Sequence, residues 1–427
     1  MKKRFLNILF WSVVSAAFIG PGTVTTAARA GNLYGTGLLW TLLFSTLACL
    51  LLQEASARVT LKTGMNIGEA MKSRLNDSFT GKLLLALTAI AITGGAAAYQ
   101  MGNLLGAREG LALIMDGDPR IYTVLIGFIA GLVLYIPSLK IVARIMGIMV
   151  IILGISFLYS AILIKPSLPD MARGLFVPSL PDSTRAPLLI LGLIGTTIVP
   201  YNLFLGSGLG SANKDIKEMR FGLVIAIILG GIFSMAVVIV GSAVTGEFSF
   251  EELARTLGRE GGKAGRILLG TGLFAAGFTS AITAPLASAI TLKSLFGNTS
   301  PKWQENGTYY RLGWMFVLFT GLFFALLGFK PIQAIISAQA LNGFILPFVS
   351  FFLVWILNSK SNPGGNPMAN NILLGITLVI TLLIGLRNLV NVTGIDDIIT
   401  SSPGFSMGLT AVSLIITLVF MLKILKK

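Results

Sequence analysis

The chain has 427 residues, 54% of them hydrophobic and only 11% charged, with a mean hydropathy of +0.85. An ordinary soluble domain is about a quarter charged, so a chain this long and apolar must hide its surface in lipid, which excludes a soluble enzyme. The net charge of +15 is scattered between apolar runs instead of forming a basic stripe, so no nucleic acid partner is expected, and the lone Cys49 allows neither a disulfide framework nor a thiolate metal cluster.

Twelve stretches approach the roughly 20 apolar residues that a membrane helix needs. They lie near 8-31, 35-60, 83-114, 121-138, 141-163, 187-209, 221-244, 267-296, 311-328, 331-357, 371-388 and 404-424. The spacing predicts an all-α membrane protein of about 12 transmembrane helices. The start, Met1-Lys2-Lys3-Arg4 with an apolar run to Ser15-Ala16-Ala17, imitates a signal peptide, but the run continues through Gly20-Pro21-Gly22 to Ala28 and reads as span one. With the N-terminus inside and sides alternating, the cytoplasmic face collects 20 of the 32 Lys and Arg but 6 of the 17 acids, so both termini are predicted cytoplasmic. Loop 59-82 and the tail with Lys423, Lys426 and Lys427 carry most of that bias. Segment 245-266 has helical spacing and balanced charge and predicts a short surface helix, while Ser359 to Met368 is a turn-forming loop.

Two spans carry a mid-membrane proline among residues that tolerate open backbone: Ile19-Gly20-Pro21-Gly22-Thr23 in span one and Ile198-Val199-Pro200-Tyr201-Asn202 in span six. Proline removes a donor and clashes with the preceding turn, so both helices are predicted to break there. Freed carbonyls and amides survive at bilayer depth only in protein or beside a hydrated cavity, and paired breaks five spans apart point to a binding site at the interface of two inverted halves. The halves are residues 8-163 and 187-357 of a ten-helix core over 1-357, with 371-424 adding two helices. Glu54, well within span two, stands four residues before Arg58 and reads as half of a structural ion pair.

These residues resemble the Nramp family of metal transporters, within the group that shares the leucine transporter fold. The likeness rests on Gly20-Pro21-Gly22-Thr23, where that family has Asp-Pro-Gly-Asn, and on Val199-Pro200-Tyr201-Asn202, where it has Met-Pro-His. It also rests on Leu51-Leu52-Gln53 to Ala57-Arg58, Ala275 to Thr283, and Ser337-Ala338-Gln339 to Leu346-Pro347-Phe348. The resemblance implies a 5+5 inverted repeat with helices 1 and 6 broken, and a gradient-driven transporter in which spans one, two, six and seven rock against the rest. It also exposes a loss. The family's metal-binding aspartate, asparagine and methionine fall on Gly20, Thr23 and Val199, its span-three acids on Gln100 and Asn103, and its histidine on Tyr201, while Gln339 remains.

What is left is neutral. Divalent cations are usually held by carboxylate, imidazole or sulfur, none of which is clustered at mid-membrane here. Ala276-Gly277-Phe278-Thr279-Ser280 is similar to the span-eight segment of sodium-coupled members of the wider group, which implies a sodium site of Ala16, Ile19, Ala276, Thr279 and Ser280. Substrate is expected at Gly20, Gly22, Thr23, Tyr99, Gln100, Asn103, Val199, Tyr201, Asn202 and Gln339, with the open amides of Gly22 and Thr23 favouring a negative group. The expected function is sodium-coupled uptake of a small anion or zwitterion such as bicarbonate or a small carboxylate. The alternatives are transport of a divalent ion (manganese, magnesium or iron) and a transport-inactive receptor or scaffold. No enzyme and no cofactor beyond the coupling sodium ion is expected, since there is no histidine, acid pair or nucleotide loop. The expected partners are the small solute, its coupling ion and the lipid bilayer of the cell membrane.

Overall fold

The computed structural model describes residues 2–75, 78–181, 186–210, 215–297, 300–359, 366–392 and 403–425, and within these the side chains of 2, 3, 188, 331, 333–344, 388, 389, 391, 392, 403 and 406 lie outside the description. Among the described residues there is no strand. The helices are α1 Lys2–Phe18, α2 Pro21–Tyr34, α3 Leu39–Thr63, α4 Ile67–Leu75, α5 Phe79–Ala112, α6 Pro119–Tyr135, α7 Leu139–Leu163 and α8 Leu168–Phe176. They continue with α9 Ala186–Thr197, α10 Pro200–Gly210, α11 Ile216–Ser242, α12 Phe250–Phe296, α13 Thr308–Leu326, α14 Pro331–Leu357, α15 Met368–Val392 and α16 Pro403–Leu425.

Among the described residues nine helical segments are long and apolar enough to cross a membrane, Leu189–Gly210 counting as one, and α1 with α2 forms a tenth that is bent by 65°. The shorter apolar helices Pro119–Tyr135 and Ile345–Leu357 bring the total to the twelve stretches read from the sequence. Local chemistry sets the ends. Asp118 caps α6 by accepting from the Arg120 amide ahead of Pro119, Ser78 caps α5, and Ser249 caps α12 by accepting from Glu252 N. The surface helix expected at 245-266 begins at Phe250 and runs on into span eight, turning only at Gly262, whose φ of 59° favours glycine.

The helices approach closely where they present small residues. A β-carbon on Gly241 of α11 would lie 2.2 Å from the Ala28 carbonyl oxygen of α2, and one on Gly277 of α12 would lie 2.4 Å from the Ala107 nitrogen of α5. Such contacts join helices in lipid, where apolar burial alone gives them little reason to associate. Outward, Phe128 of α6 and Phe319 and Phe323 of α13 are exposed, as lipid-facing side chains should be.

Candidate functional site

Both predicted breaks are present. α1 stops at Phe18, Gly20 is extended (φ −95°, ψ 179°), and α2 restarts with Pro21 in its first turn; α9 stops at Thr197 and α10 restarts at Pro200, leaving Ile198 and Val199 outside the helices. No charged residue occurs from Trp11 to Ala28, from 186 to 210 or from 267 to 292. The crossing of α1/α2, α9/α10 and α12 is therefore neutral, and its polarity comes from backbone, hydroxyl and amide.

A helix that ends inside a protein leaves its last carbonyls without intrahelical donors. At the end of α1 each is met individually. The Ser15 carbonyl accepts from the Ile19 amide at 2.9 Å, that of Ala16 from Ser280 Oγ of α12 at 3.0 Å, and that of Ala17 from the Tyr201 hydroxyl of α10 at 3.2 Å. Thr23 Oγ1 of α2 donates to the Phe18 carbonyl, and one turn earlier Asn202 Nδ2 of α10 donates to Val14 O at 3.0 Å. Side chains from three helices thus converge on one helix C-terminus, the negative pole of its dipole. All of these groups are buried.

Most of the expected site residues meet here. A β-carbon on Gly20 would sit 2.8 Å from Ser280 Oγ and 3.4 Å from Asn103 Oδ1, so glycine is what lets α5 and α12 close on the break. Asn103 Nδ2 and Asn202 Oδ1 are buried with no hydrogen-bond partner. Tyr99 and Tyr201 pack edge to face, 6.0 Å between ring centroids. Gly22 and Thr23 lie in the first turn of α2, and Val199 is a buried apolar residue at the second break.

The partners of two expected site side chains are given by the geometry, and a third is not described. The Thr279 hydroxyl donates to the carbonyl of Ala276, another member of the expected sodium set, at 3.1 Å, and of the Thr279-Ser280 pair it is Ser280 that bonds across to α1. Gln100 bonds one residue along α12 from Ser280, donating to the Ala281 carbonyl at 2.9 Å and packing its stem on Gly321 of α13. The side chain of Gln339 falls outside the described ones. The convergence on α1 was not foreseen at Val14 and Ala17, because any helical residue has a carbonyl and only the fold says which become open. Arg220 was missed too: it bonds Glu54 Oε1 at 2.7 Å while Arg58 holds Oε2 at 3.1 Å, and its partner is 166 residues away. Among the described residues no group of three or more Cys, Asp or Glu could hold a metal ion.

The family model described as natural resistance-associated macrophage protein-like (Nramp) matches residues 12–391. The chain belongs to the Nramp family. It is 25% identical over 346 residues to the divalent metal cation transporter MntH of Klebsiella pneumoniae (strain 342), covering 78% of this chain and 80% of the relative. It is also 25% identical over 369 residues to the divalent metal cation transporter MntH of Acidiphilium cryptum (strain JF-5), covering 82% of each. In structure it is similar to the Eremococcus coleocola manganese transporter, with a TM-score of 0.76 at 20% identity over 99% of this chain and 96% of that one. It is also similar to MhsT in complex with L-phenylalanine, with a TM-score of 0.62 at 13% identity over 89% and 98%. This Nramp-family chain is accordingly a multi-pass membrane transporter with the leucine-transporter-like fold, and not an enzyme.

Proposed function

We propose that this Nramp-family transporter carries a divalent metal cation that keeps part of its water shell, bound where α1 ends beside the α9/α10 break. The observation that supports this is the set of α1 last-turn carbonyls at a helix negative pole, each met only by a neutral hydroxyl or amide donor and flanked by the unpartnered Asn202 Oδ1. Neutral oxygens at the end of a half-helix suit a cation. Without carboxylate or sulfur they favour a hard ion such as magnesium or manganese, which binds through retained water, over a softer one. The names of the MntH relatives point to the same cargo.

Sodium-coupled anion uptake takes second place. The Ser280 to Ala16 contact favours a sodium ion there, since two members of the expected sodium site already touch. An anion would find only the first-turn amides of α2, with no Lys or Arg from Trp11 to Ala28 to accompany them. The moving part in either reading is α1–α3 with α9–α11, working within the ten-helix core of residues 1–357, and both termini are cytoplasmic.

Reconstitution into liposomes tests the choice. The expected result is manganese or magnesium uptake, seen with an internal fluorescent chelator, that is unchanged when sodium is replaced by potassium. Sodium-dependent currents with bicarbonate or acetate, and no divalent uptake, would move the function to the second reading.

A further inference from the structure

The Glu54 ion cluster stands at one end of a groove lined by none of the residues that meet at the α1 and α9/α10 breaks. The groove, about 540 Å³, runs between α3, α11 and α15, with walls that include Leu47, Leu51, Val224 and Leu373. Leu47 and Leu373 are about half exposed (53% and 50%), so the groove opens sideways to the bilayer. Its polar end holds Glu54, Arg220 and Asn370.

The charges at that end do not cancel. Glu54 is shared between Arg58, which is buried, and Arg220, whose side chain is half exposed (50%), so two positive groups face one negative group and one net positive charge is left. Arg58 is also taken by Asn366 Oδ1 at 3.0 Å, which leaves Arg220 as the guanidinium open to a visitor. Arg220 lies in the second turn of α11, one turn after the exposed Lys217, and Arg4 sits 5.1 Å from the neighbouring Phe221 ring, while Asp215 at the N-cap and Glu218 in the first turn of α11 balance part of that charge, so the positive group at the mouth of the groove is the half-exposed Arg220 itself. An apolar trough open to the bilayer that ends at a half-exposed guanidinium matches a molecule with one anionic head and hydrocarbon tails.

We propose that this groove is a binding site for an anionic phospholipid: its phosphate faces Arg220 and one acyl chain lies along Leu47, Leu51, Val224 and Leu373. The ligand wedges α15 against α3 and α11, two helices of the proposed moving unit, so occupancy influences how readily that unit moves.

Full-length protein stripped of lipid in detergent is offered phosphatidylglycerol or phosphatidylcholine with identical chains, or inorganic phosphate, and is read by native mass spectrometry and thermal unfolding. The expected result is about a fivefold preference for phosphatidylglycerol, as one basic residue at an anionic headgroup provides, a higher melting point with that lipid, and no response to phosphate. Arg220→Gln loses the headgroup preference, and Leu47→Trp, which fills the trough, loses retention of both lipids. Equal retention of both lipids, a preference that survives Arg220→Gln, or a response to phosphate alone overturns the proposal. So does a disulfide-linked dimer of the Leu373→Cys variant in membranes, which would assign the groove to a second copy of the chain.

Discussion

Ser280 Oγ and the Ala16 carbonyl are 264 residues apart in the chain and 3.0 Å apart in space, a hydrogen bond from the middle of one helix to the broken end of another. Ser280→Ala leaves a buried carbonyl unmet, at a cost of about 1–3 kcal/mol, and removes one oxygen from the proposed ion site. Transport should fall at least tenfold, whereas Thr279→Ala, whose hydroxyl bonds within its own helix, should fall only two- to threefold. Initial uptake rates at equal protein density check this; equal losses would mean that Ser280 has no special place.

Gly20 has no room to grow. With Ser280 Oγ 2.8 Å from the position of its missing β-carbon, Gly20→Ala should cost about 1–3 kcal/mol and abolish uptake. Gly20→Asp combined with Ser280→Ala opens space for a carboxylate and should tighten manganese binding by an order of magnitude or more, as a charged oxygen replaces neutral ones. Isothermal titration of the double variant against Ser280→Ala reads the difference, and unchanged affinity would place the ion elsewhere.

Glu54 answers two arginines of unequal burial. Glu54→Gln leaves the buried Arg58 without its countercharge and should cost roughly 3 kcal/mol, whereas Arg220→Gln, at the exposed end, should cost under about 1 kcal/mol. Melting in detergent separates the two, and equal effects would contradict the burial asymmetry.

The α2–α11 contact sets a limit on side-chain size. Gly241→Ala would place a methyl carbon 2.2 Å from the Ala28 carbonyl oxygen, so α11 must move away and the melting point should drop by several degrees. A neutral result would show that the outer half of span one tolerates displacement.

Much of this arrangement was legible beforehand, for identifiable reasons. Pro21 and Pro200 announce their breaks because proline acts on its own local backbone, and Gly20 and Gly22 reinforce the first. The Glu54–Arg58 pair follows from helical spacing alone. What the one-dimensional pattern could not supply was direction. Thr279 and Ser280 carry the same functional group one residue apart, yet a helical step of about 100° sends one hydroxyl to its own backbone and the other to α1. Gln100 and Asn103 lie three residues apart on α5, and only packing shows that Gln100 meets Gly321 of α13 while Asn103 meets Gly20 at the break. Arg220 stayed hidden because long-range pairing leaves no trace in local spacing.

The hydroxyls that cover the end of α1 also bear on the journey without cargo. A departing ion need not strand bare carbonyls in oil, because Ser280, Tyr201 and Thr23 are already close enough to quench them. On the proposed cation reading the vacant carrier should therefore reorient with little penalty, and one-way accumulation should keep pace with exchange of the ion for itself.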